Sequence, residues 1–232
     1  MNGIEIRFAG LRLTALGSGA LYWPEEGLLV VADLHLGKSE RMARRRGVML
    51  PPYEVTETLS RLAQDVAATG AEEVLCLGDS FDDLAAAQAL RDEDAESLAA
   101  LQAGRQWWWI EGNHDPGPLA LGGTHLAEMR RGPLRFVHIA EQNPSGEVSG
   151  HWHPKLALPG CAARRAFLFD EHRLILPAYG AYTGGMRPDQ PPLSGLLNPG
   201  ALAVLTGPRP VLAPLQAPVR RGGAGRARLA RR

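Results

Sequence analysis

Three short apolar runs in this chain end in the same way. Residues 28–32 (Leu-Leu-Val-Val-Ala) lead straight into Asp33-Leu34-His35, residues 74–77 into Gly78-Asp79, and residues 107–110 into Glu111-Gly112-Asn113-His114. Four or five apolar residues with no polar alternation, closed at once by glycine and polar groups, read as a strand buried on both faces. A sheet built of such strands needs cover on both sides, and it lines up its polar strand ends along one edge.

The segments between these runs supply part of the cover. Residues 38–46 are helical in character, with Gly47 as the stop, and residues 53–69 carry the stripe Val55, Leu59, Leu62 and Val66 before Gly70. Residues 83–103 read as helix broken near Asp92. Before residue 28, Ile4, Ile6 and Phe8, then Leu11, Leu13 and Ala15, alternate with polar neighbours as strands do. From residue 134 onward the expected elements are strands at 134–139, 147–149, 166–169, 174–176, 202–205 and 211–212. The pair flanking Asp170-Glu171-His172-Arg173 forms a hairpin. Alternating strand and helix followed by strands alone implies an α/β class with two packed sheets in a single domain over residues 1–215. Residues 216–232, rich in Gly, Ala and Arg, are expected to be a disordered basic tail.

Composition narrows the function classes. The 232 residues are 45% hydrophobic and 22% charged, ordinary for a globular protein, while 27 Gly and 18 Pro call for many turns. No apolar run approaches the roughly 18 residues that span a bilayer, and the first ten residues lack a signal-peptide pattern. A cytoplasmic protein with no membrane association is expected. Cys76 sits in an apolar run, and with Cys161 as the only other cysteine there is no disulfide framework or thiolate metal motif. The net charge of zero hides two basic stretches. One is Lys38, Arg41, Arg44, Arg45 and Arg46; the other lies after Asp189, where no acidic residue occurs and the chain carries Arg209, Arg220, Arg221, Arg226, Arg228, Arg231 and Arg232. Either suits a polyanion, although a solvated helix face accounts for the first equally well and a solubilising end for the second.

Five strand ends deliver nitrogen and oxygen side chains to one edge: Asp33 and His35; Asp79 and Asp82; Asn113, His114 and Asp115; His138; and His151 and His153. In α/β sheets the ligand sits just beyond the carboxyl ends of strands. Singly these signals are weak, since Asp-x-His and Gly-Asp after a strand are common turns. Jointly and in this order they point to a metal site with oxygen and imidazole ligands, which argues against structural zinc and for Mn²⁺ or a similar divalent ion.

The series Asp33-Leu34-His35, Gly78-Asp79-Ser80-Phe81-Asp82, Gly112-Asn113-His114-Asp115, His138 and Gly150-His151-Trp152-His153 resembles the calcineurin-like metallophosphoesterase superfamily. With Leu36-Gly37-Lys38, Pro51-Pro52 and the stretch from Pro177 through Tyr179, Tyr182 and Thr183 to Gly185, it is most similar to the ligase-associated DNA damage response endonucleases (the PdeM type). The resemblance implies a four-layer α/β/β/α sandwich. It implies that Asp33, His35, Asp79 and His153 bind one metal, and that Asp79 bridges to a second held also by Asn113, His138 and His151. The two cations are expected to be Mn²⁺, with Fe or Zn as substitutes, and to make hydroxide available at neutral pH for attack on phosphorus. His114 is expected beside the leaving oxygen as proton donor, with Asp82 hydrogen-bonding it to hold its tautomer. The implied activity is endonucleolytic hydrolysis of nucleic-acid phosphodiesters in DNA repair, single-stranded DNA first, in association with an ATP-dependent DNA ligase and a helicase. The metal core alone leaves open a phosphomonoester, cyclic-nucleotide or dinucleoside polyphosphate substrate, or a non-catalytic module on the same fold. Lys38, Arg41, Tyr179, Tyr182 and Thr183 are the candidate substrate contacts, for backbone phosphate or a stacked base, although core or loop packing accounts equally well for Tyr179, Tyr182 and Thr183. Trp107, Trp108 and Trp109 are expected to be core.

Overall fold

The alternation of buried faces along the first three apolar runs determines how the two sheets stack. In the computed structural model, which describes residues 2–117, 121–142 and 144–215, strands β1 (Gly3–Phe8), β2 (Leu11–Leu16), β3 (Leu21–Trp23), β4 (Leu28–Val31), β5 (Glu73–Leu77), β6 (Gln106–Ile110) and β7 (Thr124–Leu126) lie side by side in chain order. The first four pair antiparallel, and β4 through β7 pair parallel. Along β4, Leu28 and Val30 enter one core while Leu29 and Val31 enter another. On β5 the same split divides Leu75 and Leu77 from Val74 and Cys76. On β6, Trp107 and Trp109 face the second of these cores, and of the three tryptophans Trp108 alone stays partly exposed.

That second core is the helical side. Helices α1 (Lys38–Arg46), α2 (Glu54–Thr69), α3 (Leu84–Gln88) and α4 (Asp92–Gln102) follow β4 and β5. Val55, Leu59, Leu62 and Val66 of α2 are all buried against the sheet. The helix stops at Gly70, in the left-handed region at φ 66°, where its N–H caps the Val66 carbonyl at 2.9 Å. α3 begins where the Asp83 side chain accepts from the Ala86 N–H at 2.8 Å.

The first core is sealed by a second sheet. Its strands are β8 (Met129–Arg131), β9 (Leu134–Val137), β10 (Glu147–Ser149), β11 (Lys155–Leu156), β12 (Arg164–Phe169), β13 (Arg173–Ile175), β14 (Leu202–Leu205) and β15 (Val211–Pro214). The order is β15-β14-β12-β13-β10-β9-β8, with β11 alongside β12. Phe136, Phe167, Leu174 and Val204 meet Leu13, Leu75 and Leu77 between the sheets. The outer face of this sheet (Ala166, Leu168, Ile175, Ala203 and Leu205) is covered by Leu193 in a 3-10 turn (Leu193–Gly195) and by Trp152, Leu196 and Leu197 of irregular chain. The β12–β13 turn is an Asx turn, in which Asp170 Oδ1 accepts from the N–H groups of His172 and Arg173 at 2.8 and 2.9 Å.

Strands β7, β8 and β11, of three, three and two residues, are too short to show a period in sequence. The break between α3 and α4 falls just before Asp92. The expected basic tail at 216–232 lies outside the described residues. Among the described residues, no helix is long and apolar enough to cross a membrane.

Candidate metal centre

The ends of β4, β5, β6, β9 and β10 open onto one spot. His35 Nε2 lies 3.3 Å from His153 Nε2, and Asp33 Oδ1 lies 3.3 Å from the same His153 atom. His138 Nε2 lies 3.0 Å from Asn113 Oδ1, 3.2 Å from His151 Nδ1 and 3.4 Å from Asp79 Oδ2. Asp79 is shared, since its Oδ2 also stands 3.9 Å from His35 Nε2. All seven residues expected to hold metal are therefore brought into one cluster. Asp33, Asp79, His35 and His138 in it are buried.

The chain is bent hard to make this cluster. Of the six non-glycine residues with positive φ among the described residues, five belong to it: Asp33 (53°), His35 (45°), Asp79 (45°), His151 (68°) and His153 (46°). Each such residue costs about 1–3 kcal/mol unless its surroundings enforce it, and strain of this kind gathers at functional sites. The enforcing contacts are hydrogen bonds of the main-chain N–H groups: those of Asp33 and His35 donate to the carbonyls of Gly78 and Asp79, and that of His151 donates to the Asp33 side-chain Oδ2 at 2.9 Å. Gly78 is obligatory on two counts. It sits at φ 72°, and a Cβ there would stand 2.1 Å from the His138 ring.

The cluster suits a cation. His138 Nδ1 faces the Leu77 carbonyl at 3.3 Å. A carbonyl only accepts, so this nitrogen carries the proton and Nε2 presents a lone pair to the Asn113 and Asp79 oxygens. Acceptors at such distances need a proton or a cation between them. Burial works to lower the His138 pKa, but Asp79 and Asp33 raise it on balance. Burial likewise pushes Asp79 up, and His138, the His114 N–H and His35 bring it down to about 2. His151 is lowered by burial and by the charge of His138. Asp33 Oδ1 is buried without a hydrogen bond. The triads Asp33–His35–His153 and Asp79–His138–His151 each offer three donor atoms within 4.8 Å of one another. Carboxylate and imidazole donors without thiolate fit divalent metal ions.

Asp82 and His114 do meet, but not through the expected side-chain contact. The Asp82 main-chain carbonyl faces His114 Nδ1 at 2.8 Å, which places a proton on Nδ1 and leaves Nε2 toward the cluster, 4.0 Å from Asp79 Oδ2. The Asp82 carboxylate is fully buried and engaged elsewhere: His35 Nδ1 at 3.0 Å, Arg41 Nη1 at 2.8 Å and Lys38 Nζ at 3.6 Å. Burial opposes its charge, and these three partners hold its pKa well below the usual range. Asp82 thus orients His35, and a metal-binding imidazole backed by a carboxylate is a common arrangement. A third group of donors, His35, Asp82 and His114, is close enough to count as a possible site, but the Asp82 charge is already matched by Arg41 and Lys38.

The other expected contacts divide. Tyr179 is completely buried, with its hydroxyl on Asp65 Oδ2 at 2.8 Å and Arg61 over its ring, so the expectation of a base-stacking role is corrected: it is a core residue. Thr183 is likewise buried and bonds the Gly180 carbonyl at 3.0 Å, which removes it from the substrate list. Tyr182 stays half-buried at the surface, its hydroxyl on the Pro51 carbonyl. The basic run of α1 is tied down rather than free, because Arg41, Arg44 and Arg45 all reach Asp83. Asp115 holds the loops together: it accepts from the N–H groups of Ser80, Phe81 and Gly112, while burial pushes its pKa up to about 6. The sequence singles out the loop after β13 but not how it docks: the N–H groups of Tyr179 and Gly180 bond the Ala32 and Asp33 carbonyls, and Arg165 clasps the carbonyls of residues 179–181. These are main-chain contacts, which side-chain identity does not announce.

Comparison with known proteins accords with this geometry. The crystal structure of Pseudomonas putida nuclease MPE is similar, with a TM-score of 0.72 and 26% identity, covering 92% of this chain and 100% of that one. A comparison with curated proteins gives no match. The family model for calcineurin-like phosphoesterases matches residues 28–176, well over half of the chain, from the first residue of β4 to just past β13. Those bounds enclose all seven clustered donors together with Asp82 and His114, and the chain belongs to the calcineurin-like phosphoesterase family.

Proposed function

We propose that this metal-dependent phosphoesterase hydrolyses phosphodiester bonds of nucleic acid, as an endonuclease acting in DNA repair with single-stranded DNA as its first substrate. The observation that carries this reading is its similarity to a nuclease over that protein's entire length. Asp33, His35 and His153 would hold one cation and Asn113, His138 and His151 the other, with Asp79 shared between them. When bound, two such ions, Mn²⁺ by the hardness of the donors, activate water and stabilise charge on the phosphoryl oxygens. His114 supplies the proton. Its Nδ1–H is tied to the Asp82 carbonyl, so in the imidazolium form Nε2–H points at the cluster and donates to the departing oxygen. The ring is accessible, with 30% of the side chain exposed. Lys38 and Arg41 sit at the rim, where they offset Asp82 and orient His35 through it; Tyr182 is the remaining candidate for substrate contact. The protein works in the cytoplasm, in association with an ATP-dependent DNA ligase and a helicase, as its resemblance to the ligase-associated endonucleases implies.

The test is hydrolysis of single-stranded DNA, bis-p-nitrophenyl phosphate and p-nitrophenyl phosphate with Mn²⁺, before and after chelation. Cleavage of DNA and the diester, lost on chelation, is the expected result. Hydrolysis of the monoester alone overturns the nuclease reading and keeps the enzyme.

A further inference from the structure

The cluster is flanked by different surfaces on its two sides. On the His138 side the protein folds inward into a cavity of about 420 Å³, with Asn113 and His138 in its wall. This is a size typical of small-molecule pockets. Three features define what it can take. Ile139, next to His138, leaves 41% of its surface exposed and lines the cavity. Two carboxylates of the rim are already paired, since Glu128 Oε2 and Glu141 Oε2 accept from Arg135 at 2.7 Å each and Glu128 Oε1 accepts from Arg130 at 3.1 Å. Glu111 is exposed at the entrance, and among the described residues its carboxylate has no partner.

The far wall is built to stay in place. Arg173 and Glu147 form a buried ion pair at 2.6 Å. Glu147 Oε2 accepts from the Glu141 N–H at 3.0 Å, and Arg173 donates to the Glu141 carbonyl. Both main-chain groups of Glu141 are thereby held.

We propose that this cavity seats a nucleoside attached to the scissile phosphate, its apolar face on Ile139 and a hydrogen-bond donor of the base or sugar on Glu111. The inference rests on the phosphodiesterase reading above. A further phosphate is a poor occupant, because the free carboxylate repels it. A neutral ring with a donor edge matches an apolar wall beside an unpaired acceptor.

The test compares the p-nitrophenyl ester of thymidine 5′-phosphate with methyl p-nitrophenyl phosphate, in the Mn²⁺-loaded wild type and in Glu111→Gln and Ile139→Ala. The readout is the ratio of kcat/KM for the two substrates. The wild type is expected to prefer the nucleotide ester. Glu111→Gln is expected to cut the ratio severalfold, mostly through KM, because a neutral amide oxygen accepts more weakly than a carboxylate. Ile139→Ala is expected to cut it about threefold. A ratio unchanged in both variants, or a wild type without preference, overturns the pocket while leaving the phosphodiesterase reading intact. A wild type that hydrolyses neither diester overturns that reading, and the pocket with it.

Discussion

The two metal positions proposed here use similar donors but are supported differently. His35 at the first is backed by the buried Asp82 carboxylate, which is itself tied to Arg41 and Lys38. His138 at the second is backed by the Leu77 carbonyl, a neutral group, at 3.3 Å, and faces the Asn113 amide. A carboxylate behind an imidazole makes it a stronger donor than a carbonyl does. The first position should therefore hold its ion more tightly, and the second should exchange it. The difference shows how one residue type after one kind of strand becomes two sites through what stands behind it.

Four substitutions break or sharpen this contrast. Asp79→Ala removes the group common to both positions. Turnover should fall roughly 10³-fold or more, and metal analysis should find both ions depleted; retention of two ions would remove Asp79 as the bridge. His114→Ala should leave both positions filled while kcat drops roughly 10²–10⁴-fold. Metal loss in that variant would mean that His114 is a ligand. Asp82→Asn should act on the first position alone, weakening it roughly 10–100-fold. A metal titration by calorimetry would then show one affinity changed and one retained, and equal weakening of both would erase the asymmetry. The smallest effect is expected away from the metals. Tyr179→Phe deletes the hydroxyl on Asp65 and should lower stability by about 1–2 kcal/mol in thermal unfolding, with kcat unchanged; a large fall in kcat would return Tyr179 to the substrate-contact list.

Much of the site was legible because each ligand follows a strand whose apolar run announces it. Asp33, Asp79 and Asn113 come after runs buried on both faces, and His151 and His153 come as a pair in one loop. The Asp82 contacts were not legible. Its side chain and its carbonyl point to different histidines, His35 and His114, and spacing in sequence does not distinguish them. Tyr179 in a glycine-rich stretch looked like a surface aromatic, yet the loop docks on the Ala32 and Asp33 carbonyls and carries the ring inward. The basic run of α1 looked free because its partner Asp83 lies 38 to 42 positions away in a different element.

By itself the sequence determined which chemistry ends each strand. The order of apolar run, turn and polar donor is a local property, and local sterics and burial enforce it wherever the strand forms. The convergence was decided by tertiary structure. His35 and His153 are 118 positions apart and meet at 3.3 Å because one sheet carries the first, the other carries the second, and the core between the sheets fixes their edges in line. The left-handed backbone at five of the seven donors has the same origin. No residue among the five prefers that conformation strongly enough to choose it unaided, and it is held by hydrogen bonds to loops that only the folded chain brings near.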